Sequence, residues 1–439
     1  MIAMRSLFMI LSVAAAVLCT GCTGKNVIPP EGVEIDRVLS AVNVGFKMLE
    51  QDDVLYLSYY DSLHRLTVAT FDTRTGARDY AVLPTEITWD SHNYMDMAFD
   101  ADGFLHLSGN MHAQPLKYFR STRPYDIHTL EQVPEMTGED ETRVTYPVFM
   151  KGPDGRLIFH YRIGGSGNGS EIYNVYDTGT KTWKRLLDKP LMDGEGLMNA
   201  YMQGPVLSKD GRYHLIWVWR DTPDCSTNHT LSYARSRDLV HWETVRGEET
   251  PLPITIGKTG FHVDPTPAKG GLFNPGIKLG FDEDGTPVIG YHKYDSAGNN
   301  QLDAARFTDG EWMIRQLTHW DYRWQFEGNG TMKNEISISN PVYIGDGKMA
   351  FGYRHVKEGA GEVVFDARTL EATGTRPVPP GLPEEYTAVK GAFPGLIPHV
   401  LVCGRYLLHW ETLPTNRDRK PAGELPPPSP LMLYKLDSK

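Results

Sequence analysis

Two histidines stand at either end of a segment that reads as a β-hairpin. His92 precedes one short apolar run, and His112 follows a second run that begins after the Asp102-Gly103 turn. Both ends of a hairpin lie at the same edge of a sheet, so we expect the two imidazoles to face one site. Imidazoles placed in this way can transfer protons or bind anions or metal ions. The alternative is a pair of surface histidines beside an ordinary hairpin.

The next hairpin along the chain carries two further polar side chains at the matching positions. Tyr146 precedes the Asp154-Gly155 turn and Arg162 follows it. A glycine-rich run after Arg162 would let a ligand approach the backbone closely, and Asn168 within it is a candidate sugar contact. Two consecutive hairpins are therefore predicted to aim two histidines, a tyrosine and an arginine at one site.

This set of side chains suits the β-elimination of a 4-linked uronic acid. That reaction removes the weakly acidic C5 proton beside a carboxylate and protonates the leaving O4. Arg162 can neutralise the carboxylate through a planar fork that stays charged. Histidine and tyrosine can serve as the base and the acid, each contributing roughly 10²–10⁴-fold. The sequence has no evident pair of acids of the glycosidase kind.

The elements that must position these residues recur along the chain. An Asp-Gly or closely related turn precedes an apolar, aromatic-rich strand at intervals of about fifty to sixty residues. The turns lie at Asp53, Gly103, Gly155, Gly211, Gly285, Gly347 and Gly404. Such repetition, with no long amphipathic helix between the units, predicts an all-β fold, a seven-bladed β-propeller. A two-domain β-sandwich is the alternative.

Composition and the first residues of the chain indicate an exported protein. The 439 residues carry a net charge of −11, which argues against a nucleic-acid or general membrane-surface binder. A twelve-residue apolar run ends before Cys22, where small residues resemble a lipobox. We therefore predict a lipoprotein-type signal peptide over residues 1–22, a linker over 23–32 and one domain over 33–439. The expected location is the bacterial cell envelope through a lipid anchor, or the medium if the protein is simply secreted.

The motifs around these four residues resemble a known family. Asp90-Ser-His92-Asn-Tyr, Gly109-Asn-Met-His112, Thr145-Tyr146-Pro and Tyr161-Arg162-x-Gly-x-Ser-Gly-Asn are similar to BNR-repeat-like propellers, which include the ulvan lyases of polysaccharide lyase families 24 and 25 and the related rhamnose–glucuronate lyases. The resemblance implies a seven-bladed propeller with a His/Tyr/Arg elimination site. We expect a monomer that acts on an anionic polysaccharide or oligosaccharide. It also implies that Arg162, helped by His112, neutralises the carboxylate, while His92 and Tyr146 share the base and acid roles in an order left open.

A second cluster of polar residues follows the Asp210-Gly211 hairpin. Arg220 and Asn228 are candidate sugar contacts, and Lys117 near His112 is a further one. The same segment contains residue types that bind zinc, and the related lyases can carry a structural metal. The predicted Zn²⁺ ligands are Cys225, His229, His292 and Asp221. The alternative is that Cys225 is simply buried and the histidines contact substrate. No organic cofactor is expected.

Three other functions are compatible with the sequence, one of which is a structural propeller that mediates protein contacts. An α-L-rhamnosidase group shares the fold and uses the opposite face, where a catalytic histidine such as His64 would come from the first blade. A non-catalytic glycan-binding lipoprotein would bind through Arg162, Arg220 and exposed aromatic residues such as Trp320 or Trp324. The leading hypothesis is a lyase that cleaves 4-linked glucuronate or iduronate next to rhamnose, as in ulvan.

Overall fold

The computed structural model describes residues 27–437. The signal peptide predicted for residues 1–22 lies outside the described residues, as do the first four residues of the predicted linker. Within the described range, no helix is long and apolar enough to cross a membrane.

The described chain is built from thirty strands and a few very short helices. The first strand, β1, spans Val33–Val38. Four antiparallel meanders follow in chain order. Their strands are β2 (Lys47–Gln51), β3 (Val54–Tyr60), β4 (Arg65–Asp72) and β5 (Arg78–Glu86); β6 (Met95–Phe99), β7 (Leu105–Gly109), β8 (Tyr118–Ser121) and β9 (Leu130–Val133); β10 (Val144–Lys151), β11 (Leu157–Gly165), β12 (Asn168–Asp177) and β13 (Thr182–Arg185); and β14 (Asn199–Leu207), β15 (Tyr213–Arg220), β16 (Asn228–Ser236) and β17 (Trp242–Glu243), with β18 (His262–Asp264) added beside β16.

The rest of the chain repeats the same plan. Two further meanders are joined by one bridge between Phe281 and Val342 and so count as a single nine-stranded sheet. Its strands are β19 (Ile277–Phe281), β20 (Pro287–Tyr294), β21 (Asn300–Thr308), β22 (Glu311–Gln316), β23 (Ile336–Ile338), β24 (Val342–Gly345), β25 (Lys348–His355), β26 (Gly359–Asp366) and β27 (Ala372–Arg376). The final sheet combines β28 (Ile397–Cys403), β29 (Tyr406–Thr412) and β30 (Ser429–Lys435) with β1.

Helices play little part in the described fold. One α-turn, α1, spans Glu384–Thr387. The four 3₁₀ turns are Ile127–Thr129, Cys225–Thr227, Thr259–Phe261 and Asn274–Gly276. The last two, together with β18, lie in the long connection between β17 and β19.

Turn chemistry explains why the hairpins form where the sequence predicts them. Gly103 and Gly155 adopt φ values of 83° and 79°, which residues with a Cβ rarely reach. In the first turn, Asp100 caps the loop by accepting hydrogen bonds from the backbone N–H groups of Asp102 (3.0 Å) and Phe104 (2.9 Å). Each turn is therefore specified by its own residues.

The core consists of the inner strands of each meander packed against their neighbours. Every residue of β15 is buried, and so is every residue of β7. The prediction of an all-β fold is confirmed. Because β1 pairs with β30, the two ends of the described chain meet in one sheet. That the units form a seven-bladed ring stays a prediction.

Candidate active site

A cavity of about 920 Å³ collects side chains from several sheets. Five of the residues predicted from the sequence line it: His92, His112, Tyr146, Arg220 and Cys225. Asp90 and Tyr201 line it as well. The two hairpins β6–β7 and β10–β11 thus bring His92, His112 and Tyr146 to one cavity, without Arg162.

The two histidines are held by one carboxylate. Asp90 Oδ1 lies 2.7 Å from His92 Nδ1, and Asp90 Oδ2 lies 2.7 Å from His112 Nδ1. The imidazole rings stack with centroids 4.0 Å apart. Each ring therefore uses Nδ1 towards Asp90, which leaves Nε2 as the nitrogen available for proton transfer.

The charge on Asp90 is maintained by these contacts. Burial alone would raise the pKa of Asp90, but the hydrogen bonds from His112 and His92 outweigh it and hold the pKa well below its usual range. Asp90 is therefore ionised at neutral pH. An ionised Asp90 orients both rings and stabilises an imidazolium when either ring takes up a proton.

The loop that carries His112 has an unusual backbone. Asn110 and Ala113, on either side of it, have φ values of 56° and 51°. The Asn110 side chain donates to Thr85 Oγ1 (2.6 Å), and the backbone N–H of Ala113 donates to Thr145 Oγ1 (2.8 Å). The surrounding structure thus holds a backbone that is costly on its own, a feature typical of functional sites.

Tyr146 reaches the cavity because strand β10 is interrupted. The pairing of β10 with β11 shifts register between Thr145 and Val148, and Tyr146 has a φ of 58°. A bulge of this kind redirects a side chain that would otherwise follow the alternation of the strand. The Tyr146 ring lies 5.7 Å from that of His92.

Arg162 occupies a different place from the one the sequence suggested. It is fully buried and does not line the cavity. Its guanidinium carbon lies 4.9 Å from the ring centroid of Tyr146 and 5.5 Å from that of Tyr201. The two tyrosines line the cavity and contact Arg162, so its charge influences the cavity through them.

Arg220 is the buried arginine that does line the cavity. It donates to neutral oxygens only, at distances between 2.6 and 3.4 Å. These acceptors are Asn228 Oδ1, Asn274 Oδ1, Tyr201 Oη and Ser166 Oγ. Because amide and hydroxyl oxygens fix its fork and no carboxylate of the described residues forms a salt bridge with it, Arg220 is suited to bind a substrate carboxylate.

Tyr201 is a site residue that sequence reasoning missed. It lies on β14, directly upstream of the Asp210-Gly211 hairpin, as Tyr146 lies upstream of the hairpin before it. Burial would raise its pKa, but Arg220 and Arg162 outweigh burial and the pKa lies below its ordinary value. For Tyr146, burial prevails and the pKa is raised. The repeat itself was the signal that could have identified Tyr201.

The loop between β29 and β30 lines one side of the site. Asp418 accepts hydrogen bonds from Ser91 Oγ (2.8 Å) and from the Thr331 backbone N–H (2.8 Å). Its Oδ2 atom also lies 3.6 Å from His92 Nδ1. Arg417 and Asp418 both have positive φ values, 52° and 58°. The segment thus links the loop of His92 to the loop before β23.

The other predicted sugar contacts do not line the cavity. Asn168 is exposed at the end of the β11–β12 turn. Lys117 donates to the backbone carbonyl of Asn110 (2.7 Å), and Asn228 is fully buried behind Arg220. Within the glycine run, Gly167 approaches protein, since a Cβ on it would lie 2.7 Å from the Cα of Thr222, whereas Ser166 lines the cavity.

The four predicted zinc ligands do not come together at one point, and only His229 and Asp221 contact each other. His229 Nε2 pairs with Asp221 Oδ1 (2.9 Å), while the Cys225 thiol lies 3.5 Å from the sulfur of Met332. His292 is fully buried beside Gly276, where a Cβ would come within 2.4 Å of its Nε2 atom. These residues do not fit a tetrahedral zinc site, because their side chains are committed to different neighbours.

Over the residues that the structure describes, one group of His, Cys, Asp and Glu side chains has three ligand atoms within 4.8 Å of one another. It consists of Asp90, His92 and His112. Both Nδ1 atoms in it already contact the Asp90 carboxylate. The arrangement therefore resembles a hydrogen-bonded proton-transfer set.

Residues named for the alternative functions lie elsewhere. His64 packs edge-on against Trp89, with centroids 5.5 Å apart, and does not line the cavity. Trp324 is 2% exposed and lies within an aromatic cluster. Trp320 is half-buried against His355. The two tryptophans are therefore packing residues and do not form an exposed sugar platform.

Comparison with known proteins agrees with this architecture. The chain is 27% identical over 143 residues to an ulvan lyase short isoform of Alteromonas sp. (strain LOR). The aligned residues cover 29% of this chain and 27% of that protein. It is 35% identical over 71 residues to an ulvan lyase long isoform of Glaciecola sp. (strain KUL10), 14% of this chain and 7% of that one. The matches thus span well under two thirds of these relatives.

Solved structures extend the similarity to nearly the whole fold. The polysaccharide lyase Uly1 superposes with a TM-score of 0.59 at 15% identity, over 96% of this chain and 94% of that one. A PL25 ulvan lyase superposes with a TM-score of 0.54 at 13% identity, over 92% and 94%. At these identities the likeness concerns the fold alone. The family described as "BNR repeat-containing family member" matches residues 54–320, and the chain belongs to this family.

Proposed function

We propose that this protein is a polysaccharide lyase that cleaves a 4-linked uronic acid by β-elimination, on a seven-bladed propeller. The observation that carries the proposal is the convergence of His92, His112, two tyrosines and Arg220 on one cavity of about 920 Å³. A single cavity then holds groups that bind a carboxylate and groups that move protons.

The reaction needs one proton removed and one supplied. The base takes the C5 proton, the C5–H electron pair forms the C4=C5 double bond, and the C4–O4 bond breaks as the acid protonates O4. Tyr201 is suited to the base role because Arg220 donates a hydrogen bond to its Oη atom (3.0 Å) and so favours the ionised phenol. His92, oriented by Asp90, is suited to hand a proton to O4, with Tyr146 as the neighbouring hydroxyl.

Arg220 takes the role of neutralising the carboxylate. Arg162 was expected there from the sequence, but it has no exposed surface, whereas Arg220 lines the cavity. A fork held on neutral oxygens offers its charge to a uronate without competition from an acid. Neutralising the carboxylate acidifies C5–H and stabilises the dianion that elimination passes through.

The substrate we propose is an anionic glycan that contains glucuronate or iduronate beside rhamnose. Two observations support this choice: the partial matches to ulvan lyases, and a PL25 ulvan lyase of the same fold that was solved bound to -[GlcA(1-4)Rha3S]-. We further propose that the protein acts as a monomer outside the cytoplasm, anchored to the cell envelope through Cys22.

The decisive experiment follows ultraviolet absorbance while the protein is incubated with a panel of uronate polysaccharides, ulvan included. Elimination creates a conjugated C4=C5 double bond that absorbs, whereas hydrolysis does not. We expect absorbance to rise with at least one substrate. The rise should fall by about 10²-fold or more in His92→Ala and in Tyr201→Phe.

His241→Ala is the matched control, because this histidine is exposed and pairs only with Asp238 at the surface. It should retain full turnover. New reducing ends without absorbance would point to a hydrolase of the rhamnosidase kind, with His64 as the residue to test next. Binding without any product would leave a glycan-binding protein.

A further inference from the structure

A second, smaller cavity adjoins the proposed active site. It has a volume of about 310 Å³ and shares part of its lining with the larger cavity, so these residues form the partition between the two. The shared residues are Tyr94, Tyr146, Tyr201 and Asn274. On its other side this inner chamber reaches His160 and Glu171. Nothing in the proposed reaction uses either residue directly.

The inner chamber lies next to the buried positive charge of Arg162. None of the three guanidinium nitrogens of Arg162 has a hydrogen-bond partner among residues 27–437. A buried charge without compensation is costly, so a counter-charge is expected nearby. Glu171 on β12 is the direct cross-strand neighbour of Arg162 on β11, and it is only 4% exposed.

Arg162 in turn acts on the two phenols of the partition. Its guanidinium carbon is 4.9 Å from the Tyr146 ring centroid and 5.5 Å from that of Tyr201. At an effective dielectric constant of about 20, a unit charge within roughly 10 Å changes a pKa by about one unit or more. Any group that offsets the charge of Arg162 therefore changes how readily the phenols ionise.

We propose that Glu171 is a positioning residue for this active site: as the buried counter-charge of Arg162, it sets the positive field at Tyr146 and Tyr201 and hence their readiness to act as base. The proposal deepens the proposed elimination and rests on it for its catalytic meaning. Its electrostatic content stands independently, because ionisation of the phenols can be measured without substrate.

The direction of the effect follows from the groups that face Glu171. Arg162 faces it across the strand pair, Tyr173 lies on its own strand, and Tyr94 and His160 lie around the chamber. Burial lowers the pKa of His160 to about 4, so this ring is neutral near pH 7. Burial raises the pKa of Glu171 to about 7 against the opposing pull of Arg162.

Glu171 is therefore neutral below about pH 7, where Arg162 exerts its full field on the phenols. Above that pH the carboxylate offsets part of the field and makes tyrosinate harder to form. Removing the carboxylate should then leave the acidic range unchanged and lower the pKa of the more acidic phenol in the alkaline range.

The test uses the full chain with isotope-labelled tyrosine, whose Cζ resonance reports ionisation residue by residue. In Glu171→Gln we expect the Tyr201 resonance, assigned by its loss in Tyr201→Phe, to titrate about one pH unit lower than in the unmodified protein. Arg162→Gln should move the same resonance to higher pH. An unchanged titration in a folded Glu171→Gln protein overturns the proposal.

Two further variants separate charge from packing. Glu171→Asp keeps the carboxylate and should restore a titration close to that of the unmodified protein; if it behaves like Glu171→Gln, packing is responsible and the proposal fails. Glu131→Gln, which removes an exposed acid on β9, should change nothing. If no glycan yields an unsaturated product, the proposed function fails while the tyrosine titrations still decide this inference.

Discussion

The Asp90 carboxylate contacts the imidazole rings of both His92 and His112, with a different oxygen for each ring and the same distance of 2.7 Å for both. A single acidic side chain thereby fixes the tautomer of two catalytic candidates. Because the rings also stack at 4.0 Å, a change at Asp90 affects both of them together.

Replacement of Asp90 by Asn should therefore be severe. The amide of asparagine has an oxygen that accepts and an NH₂ group that donates. Only one ring can therefore keep its Nδ1–H hydrogen bond, and the other must adopt the tautomer protonated at Nε2. We expect kcat to fall by about 10²-fold or more, with a small change in KM, because the loss concerns proton transfer. Steady-state kinetics on the substrate found by absorbance would measure it.

The control for Asp90→Asn is Asp102→Asn, since Asp102 is exposed at the turn of the same hairpin. It should keep both kcat and the melting temperature. If Asp90→Asn retained the unmodified kcat, the two histidines would not be the proton-transfer groups.

The two buried arginines should respond differently to substitution by lysine. Arg220 lines the cavity, and its fork is expected to grip the uronate, so Arg220→Lys should raise KM by about tenfold or more. Arg162 has no exposed surface, so Arg162→Lys should leave KM within about twofold and act on kcat. The comparison is made by kinetics on the same polysaccharide.

Arg315→Lys, at an exposed position of β22, controls for a general effect of exchanging arginine for lysine. A carboxyl-reduced polysaccharide supplies a second check. Because it lacks the carboxylate that Arg220 is expected to bind, its affinity should be low and the same for the unmodified protein and for Arg220→Lys. If Arg162→Lys instead raised KM by the larger factor, the assignment of the carboxylate site to Arg220 would be reversed.

The contact between Asp418 and Ser91 predicts a coupling across 327 residues of sequence. Asp418→Ala leaves donors on Ser91 and Thr331 without their acceptor, at a cost of about 1–3 kcal/mol in the free energy of unfolding. It should also lower kcat/KM by about tenfold, because the loop that carries His92 loses its support. Denaturant unfolding and kinetics measure the two effects.

Ser91→Ala removes the same hydrogen bond from the other side, so the double variant should lose less than the sum of the two single losses. Strict additivity would mean that the two residues act independently. Glu424→Ala, an exposed acid in the same terminal segment, serves as the control.

Much of the site could be predicted because its residues repeat with the fold. His92, His112 and Tyr146 flank hairpins whose turns are encoded locally, and these turns form as their sequence indicates. Arg162 was assigned to the wrong side of Tyr146, since the bulge at Tyr146 is a feature of strand pairing that residue spacing does not reveal. Tyr201 precedes the Asp210-Gly211 hairpin as Tyr146 precedes the hairpin before it, but no family motif surrounds Tyr201 in the sequence.

The remaining features depend on contacts between distant parts of the chain. Asp418 meets Ser91 through a backbone with two consecutive positive φ values, which nothing in the local sequence specifies. The predicted zinc ligands are held apart for a related reason: Cys225 and His229 are close in sequence, but each side chain contacts a different neighbour. Residue types indicate which chemistry is possible, and tertiary packing decides which side chains meet.

The pKa of Glu171 predicts a specific pH dependence of stability. In the folded protein this pKa rises from 4.5 to about 7, so between these pH values the native state holds a proton that the unfolded chain releases. The free energy of unfolding should therefore fall as pH rises from about 4.5 to about 7 and then level off, by about 3 kcal/mol at most. Glu171→Gln cannot release this proton, so its stability relative to the unmodified protein should improve over the same range. Urea unfolding of both proteins at the two ends of the range measures the difference, with Glu131→Gln as the control. If the free energies of unfolding of the two proteins changed with pH in the same way, Glu171 would be ionised over the whole range. Its carboxylate would then already offset the charge of Arg162 at about pH 4.5.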